Sequence, residues 1–349
     1  MRILIIEDDD EACKIYEEEI QGYNETNNKN ITSIIKKNKE DGLKSVNEED
    51  FDAVIVDLNL GSGEEAGGNE IIKKIFNEKR VPIYIVSGTP DAYEEIEELS
   101  DKKLLLRKIT RGEVDIITIL DDLLKLYDTG LTKILNRKGI LDKVMDEIFL
   151  KYSENLVKNL QENNNLEPEE KENIMSRFCA TIISEKLKHL SPKYHPCEIY
   201  FTPPLKKDLT TGDILIEKAS GKKRIVLTPA CDLEIRADGK RKVNNILIAG
   251  IESIDYIYEN DNPNNKSKKN IIKDLQAKKH KNYYEYLPIN NQDGQAINFS
   301  DLLCLPIAKI TEDYNRESSL NETFLKEIIF NFSKYYGRQG IPEIHKKEA

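Results

Sequence analysis

Glu7, Asp8, Asp57, Ser87 and Lys108 are scattered through the first third of the chain, yet each closes a short apolar run: "ILIIEDD", "AVIVDL", "IVSG" and "LLLRK". A carboxylate at the end of a buried strand costs several kcal/mol unless something pairs with it. If the four runs are neighbouring strands, three carboxylates, a hydroxyl and an ammonium meet at one sheet edge. Clustered carboxylates repel one another until a cation joins them. Hard oxygen ligands in an open site suit Mg²⁺, which keeps several waters and accepts a phosphoryl oxygen. The expected chemistry is phosphoryl transfer. Asp57 is the nucleophile, and Lys108 and the Ser87 hydroxyl each contact a phosphoryl oxygen.

Those side chains need elements to carry them. Strand-like segments at 2–7, 53–58, 81–88 and 103–108 alternate with helical patterns at 10–23, 69–80, 91–99 and 112–127. "ITSIIKKNKEDGLKSV" adds a strand and a helix between the first two strands. Strands alternating with helices predict an α/β fold, a doubly wound five-stranded parallel sheet covered on both faces. In such a sheet ligands bind outside the C-terminal strand ends, where strand order reverses. The five residues above stand there.

Residues 1–128 resemble the receiver domain of two-component response regulators, which has a flavodoxin-like fold. The matching pieces are "ILIIEDD" with its acid pair, "FDAVIVDL" with the acceptor aspartate, "IVSG" with the switch hydroxyl and "LLLRK" with the signature lysine. The resemblance implies that Glu7, Asp8, Asp57 and the Asn59 backbone carbonyl hold Mg²⁺. It also implies that Asp57 accepts phosphate from a histidine kinase or phosphotransfer protein, and that Ser87 and Lys108 sense it. There are departures: Ile109 stands where the family usually has a proline, and Leu105 where many members carry an aromatic. The loop after Asp57, "LNLGSGEEAGGNE", is Gly-rich and long.

The remainder divides into a helical connector, 129–191, and an α+β output domain, 192–349, built on a small β-sheet or barrel. The connector has apolar residues at helical spacing, including Leu131, Ile134, Val144 and Ile148, and later Ile174, Phe178 and Ile182. It reads either as a packing module or as a homodimerisation surface. Pro168 and neighbouring acids mark a helix start. "GDILIEKASGKKRIVL" predicts a hairpin turning at 219–221. Two chemical readings stay open in the output domain. Cys231 and Asp232 would serve an enzyme, with His195 or His280 as base. The lysine-rich segments with Tyr283, Tyr284 and Tyr286 would serve nucleic-acid binding, the less favoured reading.

Composition sets outer limits. The 349 residues carry a net charge of −11, which argues against bulk attraction to nucleic acid or acidic membranes. No apolar run approaches the roughly 18–20 residues of a membrane span. Five dispersed cysteines and four dispersed histidines predict neither a disulfide framework nor a zinc site. The expected setting is the cytoplasm.

Overall fold

The computed structural model of the chain describes residues 1–60, 67–97, 102–190, 193–262, 264–279, 284–289 and 293–338. It forms two compact units, 1–190 and 191–349.

Unit one opens with the expected parallel sheet. Strands β1 (Arg2–Ile6), β2 (Thr32–Lys36), β3 (Ala53–Val56), β4 (Ile83–Ser87) and β5 (Leu106–Thr110) lie in the order β2-β1-β3-β4-β5. All pairings are parallel. Strand order reverses between β1 and β3, so their C-terminal ends flank the crevice in which such sheets bind ligands. Helices α1 (Asp10–Asn27) and α4 (Ile116–Asp128) pack on one face around Ile3, Ile5, Ile55 and Leu120. Helices α2 (Lys39–Glu48) and α3 (Gly67–Glu78) cover the other around Leu4, Ile6, Val56 and Ile72. Burial on both faces explains the near-continuous apolar strands.

Two elements differ from the sequence expectation, and both bear on the site. β5 starts three residues later and ends two residues later than expected, because the leucine run is not the strand. Leu104 and Leu105 stand in a turn, exposed by 75% and 36%. Among the described residues of the crossover from β4 to β5 there is a 3₁₀ turn, Pro90–Ala92, followed by extended chain from Tyr93 to Ile96. Asn69 of α3 explains the missing helix there. Its amide donates to Ala92 O at 3.0 Å and accepts from Glu94 N at 3.1 Å, so backbone groups that a helix would pair internally are bonded across to α3. The end of the expected helix, 98–99, lies outside the described residues.

The rest of unit one is helical: α5 (Leu131–Leu135), α6 (Ile140–Glu147), a π-helical turn (Ile148–Tyr152), α7 (Ser153–Glu162) and α8 (Pro168–Lys188). Asn136 bonds Phe51 O at 2.7 Å, which ties this stretch to the start of β3. Pro168 opens α8 behind a capping box formed by Glu167 and Glu170.

Unit two is a curled, seven-stranded antiparallel half-barrel of order β10-β11-β9-β8-β7-β12-β6. Its strands are β6 (Tyr200–Phe201), β7 (Asp213–Glu217), β8 (Lys223–Val226), β9 (Asn245–Ser253), β10 (Tyr284–Leu287), β11 (Gln295–Pro306) and β12 (Tyr314–Leu320). β7 and β8 are the expected hairpin, turning through Gly221 at φ +71°. Helices α9 (Ala230–Leu233), α10 (Ile254–Asn260), α11 (Lys268–Gln276), α12 (Ile307–Asp313) and α13 (Glu322–Tyr336) surround it. Phe332 and Tyr335 of α13 pack on Phe299 in the main core.

Candidate functional site

The ends of β1 and β3 bring three acids together. Single carboxylate oxygens of Glu7, Asp8 and Asp57 all lie within 4.8 Å of one another. Glu7 and Asp57 are buried, 2% and 5% exposed, while Asp8 is exposed. The sequence enforces this placement, because Glu7 N bonds Lys36 O and Asp57 N bonds Ile6 O at 2.9 Å, continuing the ladder past the strand ends. Asp9 N–H donates to Glu7 Oε1 at 3.1 Å, and Asp9 caps α1 by accepting from Glu11 and Ala12. Asn59 N–H donates to Asp57 Oδ1 at 3.3 Å.

The cation beside these carboxylates is Arg111. Its Nη2 donates to Glu7 Oε2 at 2.6 Å and to Asp57 Oδ2 at 2.8 Å. Arg111 stands one residue past β5, and its own N–H is fixed to Ser87 O at 2.9 Å. Burial still pushes the Glu7 carboxyl above the usual range, against the Asp9 N–H and Arg111, with the Asp57 charge adding to the rise.

Lys108, expected at this edge, is placed elsewhere. It pairs with Ile85, two residues short of the β4 end. Its Nζ lies 3.2 Å from Glu95 Oε1 and 5.2 Å from the centroid of the Tyr93 ring. Ending the strand at Lys108 would have put its ammonium over the carboxylates. The true strand continues to Thr110, and the residue that clears the edge is Arg111. The sequence signal was available in "KITRGE", where Arg111 precedes a glycine and the next helix. The apolar run masked it.

Ser87 ends β4 as expected. It is fully buried, and its Oγ accepts from Thr89 N at 3.4 Å. The Thr89 hydroxyl accepts from Asn59 Nδ2 at 3.1 Å, which links the ends of β3 and β4. Gly68, at the start of α3, is a further site residue the sequence did not single out. A Cβ there would stand 2.4 Å from Asp57 O and 2.6 Å from Leu58 Cα, so only glycine lets α3 begin this close to the acceptor backbone.

The output-domain candidates divide differently. Cys231 is exposed, and its thiol meets Asp232 Oδ1 at 3.7 Å. Lys242 Nζ holds the same oxygen at 2.7 Å and draws the Asp232 carboxyl below its ordinary range. The base suggested for Cys231 is engaged by another cysteine: His195 Nδ1 lies 3.0 Å from Cys197 Sγ. His280 and Tyr283 lie outside the described residues. Tyr284 is buried in the core with Ile254 and Ile271, away from solvent. Lys242, Lys266, Lys268 and Lys278 are in ion pairs with Asp232, Asp274, Asp255 and Glu327.

Solved receiver domains match the N-terminal part of the chain. The N-terminal domain of a response regulator/sensory box/GGDEF 3-domain protein from Carboxydothermus hydrogenoformans is 20% identical. That match covers 38% of this chain and 99% of that one, at a TM-score of 0.26. A CheY-like receiver domain from Methylobacillus flagellatus is 21% identical, over 35% and 98% of the two chains, at 0.27. The response regulator TrrA from Thermotoga maritima, in complex with Mg²⁺-BeF, is 17% identical, over 36% and 97%, at 0.27. No family model matches the chain, and no curated protein does.

Proposed function

We propose that unit one contains a phosphoryl-accepting receiver and that Asp57 takes the phosphoryl group from a histidine kinase or phosphotransfer protein in the cytoplasm. The observation that carries this reading is the constellation at one sheet edge: three carboxylates from two strand ends within 4.8 Å, with a guanidinium bonded to two of them. The donor set fits Mg²⁺, being all oxygen, partly open through Asp8 and rich in negative charge. Glu7, Asp8 and Asp57 would hold the ion, with the Asn59 carbonyl as a further ligand. When bound, Mg²⁺ neutralises charge on the transferring group.

The chain's own residues do the rest. A carboxylate oxygen of Asp57 attacks phosphorus, and the bond from phosphorus to the donor nitrogen breaks as the leaving imidazole departs. Arg111 offers several donors in a planar fork suited to phosphoryl oxygens, and it is already in contact with the acceptor. The buried Ser87 hydroxyl, joined through Thr89 to Asn59, is the neutral donor at the same edge. In this reading Arg111 takes the charge role expected of Lys108. The output of unit two is read as protein–protein interaction or assembly.

The test is incubation with acetyl phosphate, with and without Mg²⁺, on wild type and Asp57→Ala, read by phosphate-affinity electrophoresis and size-exclusion chromatography. The expected outcome is a metal-dependent shift lost in the variant. Absence of modification from acetyl phosphate and from a panel of histidine kinases would make the fold a binding platform.

A further inference from the structure

A guanidinium and a divalent ion drawn to the same two carboxylates are like charges held a few ångströms apart. Arg111 Nη2 occupies Glu7 Oε2 and Asp57 Oδ2, the two buried members of the acidic trio. A guanidinium has no acceptor atom and cannot become a metal ligand. A divalent cation entering among the three carboxylates would stand a few ångströms from Arg111 and repel it. From this we infer that Arg111 is a tethered counter-ion that competes with the divalent metal for Glu7 and Asp57. The inference rests on the reading of these acids as metal ligands.

The surrounding geometry suits such an exchange. The Arg111 backbone is fixed by its N–H to Ser87 O, so the side chain swings from a fixed base. Gly112 follows at φ +85°, and the chain reaches the Asp115 cap of α4 three residues later. The Arg111 side chain is about one-third exposed. Arg111 and Glu7 also line a cavity of about 330 Å³ between α1 and α4, walled by Ile15, Tyr16, Val114 and Ile117. A guanidinium driven off Glu7 by the metal stays within reach of Asp57, where a phosphoryl group would offer it fresh oxygens. Metal entry therefore frees the cation that the phosphorylated state uses. Lys108 is not placed for this exchange: its ammonium lies 3.2 Å from Glu95 and over the Tyr93 ring.

Direct calorimetric titration of the unphosphorylated full chain with Mg²⁺ and Mn²⁺ tests this without any phosphotransfer. With Arg111 in place the formal charge of the cluster is −2, and without it −3, so Arg111→Ala is expected to bind metal at least about tenfold more tightly. Arg111→Lys should fall between, since an ammonium contacts carboxylates as a point charge. In wild type, the Arg111 Nε–H signal in NMR should shift on metal addition. Equal affinity of wild type and Arg111→Ala, both folded by circular dichroism, overturns the competition alone. So does tightening in Lys108→Ala and not in Arg111→Ala. Failure of both wild type and Arg111→Ala to bind either ion removes the metal reading as well.

Discussion

Both units join arginine to aspartate, and the difference between them separates a site from a staple. In unit one Arg111 bonds two of three acids clustered at the ends of strands, where the sheet opens. In unit two the pairs are one to one and lie within the sheet. Arg316 of β12 bonds Asp213 of β7 at 2.9 Å, and Arg224 of β8 meets Asp301 of β11 at 3.2 Å. A neutral buried pair calls for no further cation, but removing one partner leaves a charge stranded. An excess of carboxylates at an open edge calls for one.

The largest expected effect tests that distinction. Arg316→Met leaves Asp213, fully buried, without its cation, and should cost about 3–5 kcal/mol of local stability. Hydrogen exchange of β7 and β12 peptides in the intact chain would read it. Asp213→Asn combined with Arg316→Met should recover much of that loss. Arg111→Ala should cost less in the exchange of β1 and β3, and added Mg²⁺ should offset it. If Arg111→Ala is as damaging as Arg316→Met and metal restores nothing, the unit-one cluster is also a staple.

Two glycines sharpen the comparison at the next magnitude. A Cβ on Gly68 meets the backbone of Asp57 and Leu58, which cannot rotate away. Gly68→Ala should cost about 2–3 kcal/mol and shift the acceptor, lowering acetyl-phosphate labelling. The nearest atoms to a Cβ on Gly250 of β9 belong to the Asp301 side chain, which is 37% exposed and can turn outward. Gly250→Ala should cost about 1 kcal/mol, chiefly through its contact with Arg224. Equal losses, measured by denaturant titration with exchange mapping, would mean that Asp301 is fixed as firmly as backbone.

The same contrast explains what could be read from the sequence. The parallel sheet was legible because β1, β3 and β4 are buried on both faces and run into residues with no reason to be there except chemistry. Glu7, Asp8, Asp57 and Ser87 followed from that rule. Arg111 did not, because "LLL" looked like strand and ended it at Lys108, two residues short of the observed end at Thr110. The β4–β5 crossover misled for another reason. "DAYEEIEEL" has helical spacing, but the Asn69 side chain, distant in sequence, takes the backbone bonds a helix needs. In unit two the hairpin and the long return strand were legible from turn residues and apolar runs. The pairing of Arg316 with Asp213 was not, because nothing in one sequence links residues a hundred positions apart.

A smaller effect concerns pH. Burial raises the Asp213 carboxyl above its ordinary value, although the Thr210 N–H and Arg316 pull it down. The folded state then holds this proton more tightly than the unfolded state, so Asp213 makes stability fall as pH rises from its ordinary value of 3.8 toward its folded value. Asp213→Asn should remove this component of the slope for β7 exchange and leave that of β1 unchanged. An identical slope in variant and wild type would show Asp213 ionised in the fold throughout that range.

The smallest effect uses the cysteines, one reporter set across both units. Cys13 is buried on the inner face of α1, where its thiol donates to Glu7 O at 3.3 Å, while Cys197, Cys231 and Cys304 of unit two are exposed. Alkylation of the native chain by iodoacetamide, followed by mass spectrometry, should modify those three and spare Cys13 until unit one unfolds. Because Cys13 bonds the backbone of a candidate metal ligand, Mg²⁺ should slow its labelling further if the acids close around the ion, with no change at Cys304. Cys13 labelling as fast as Cys304 would mean that α1 opens readily from β1, and the acidic cluster would then lack the rigid floor that a metal site needs.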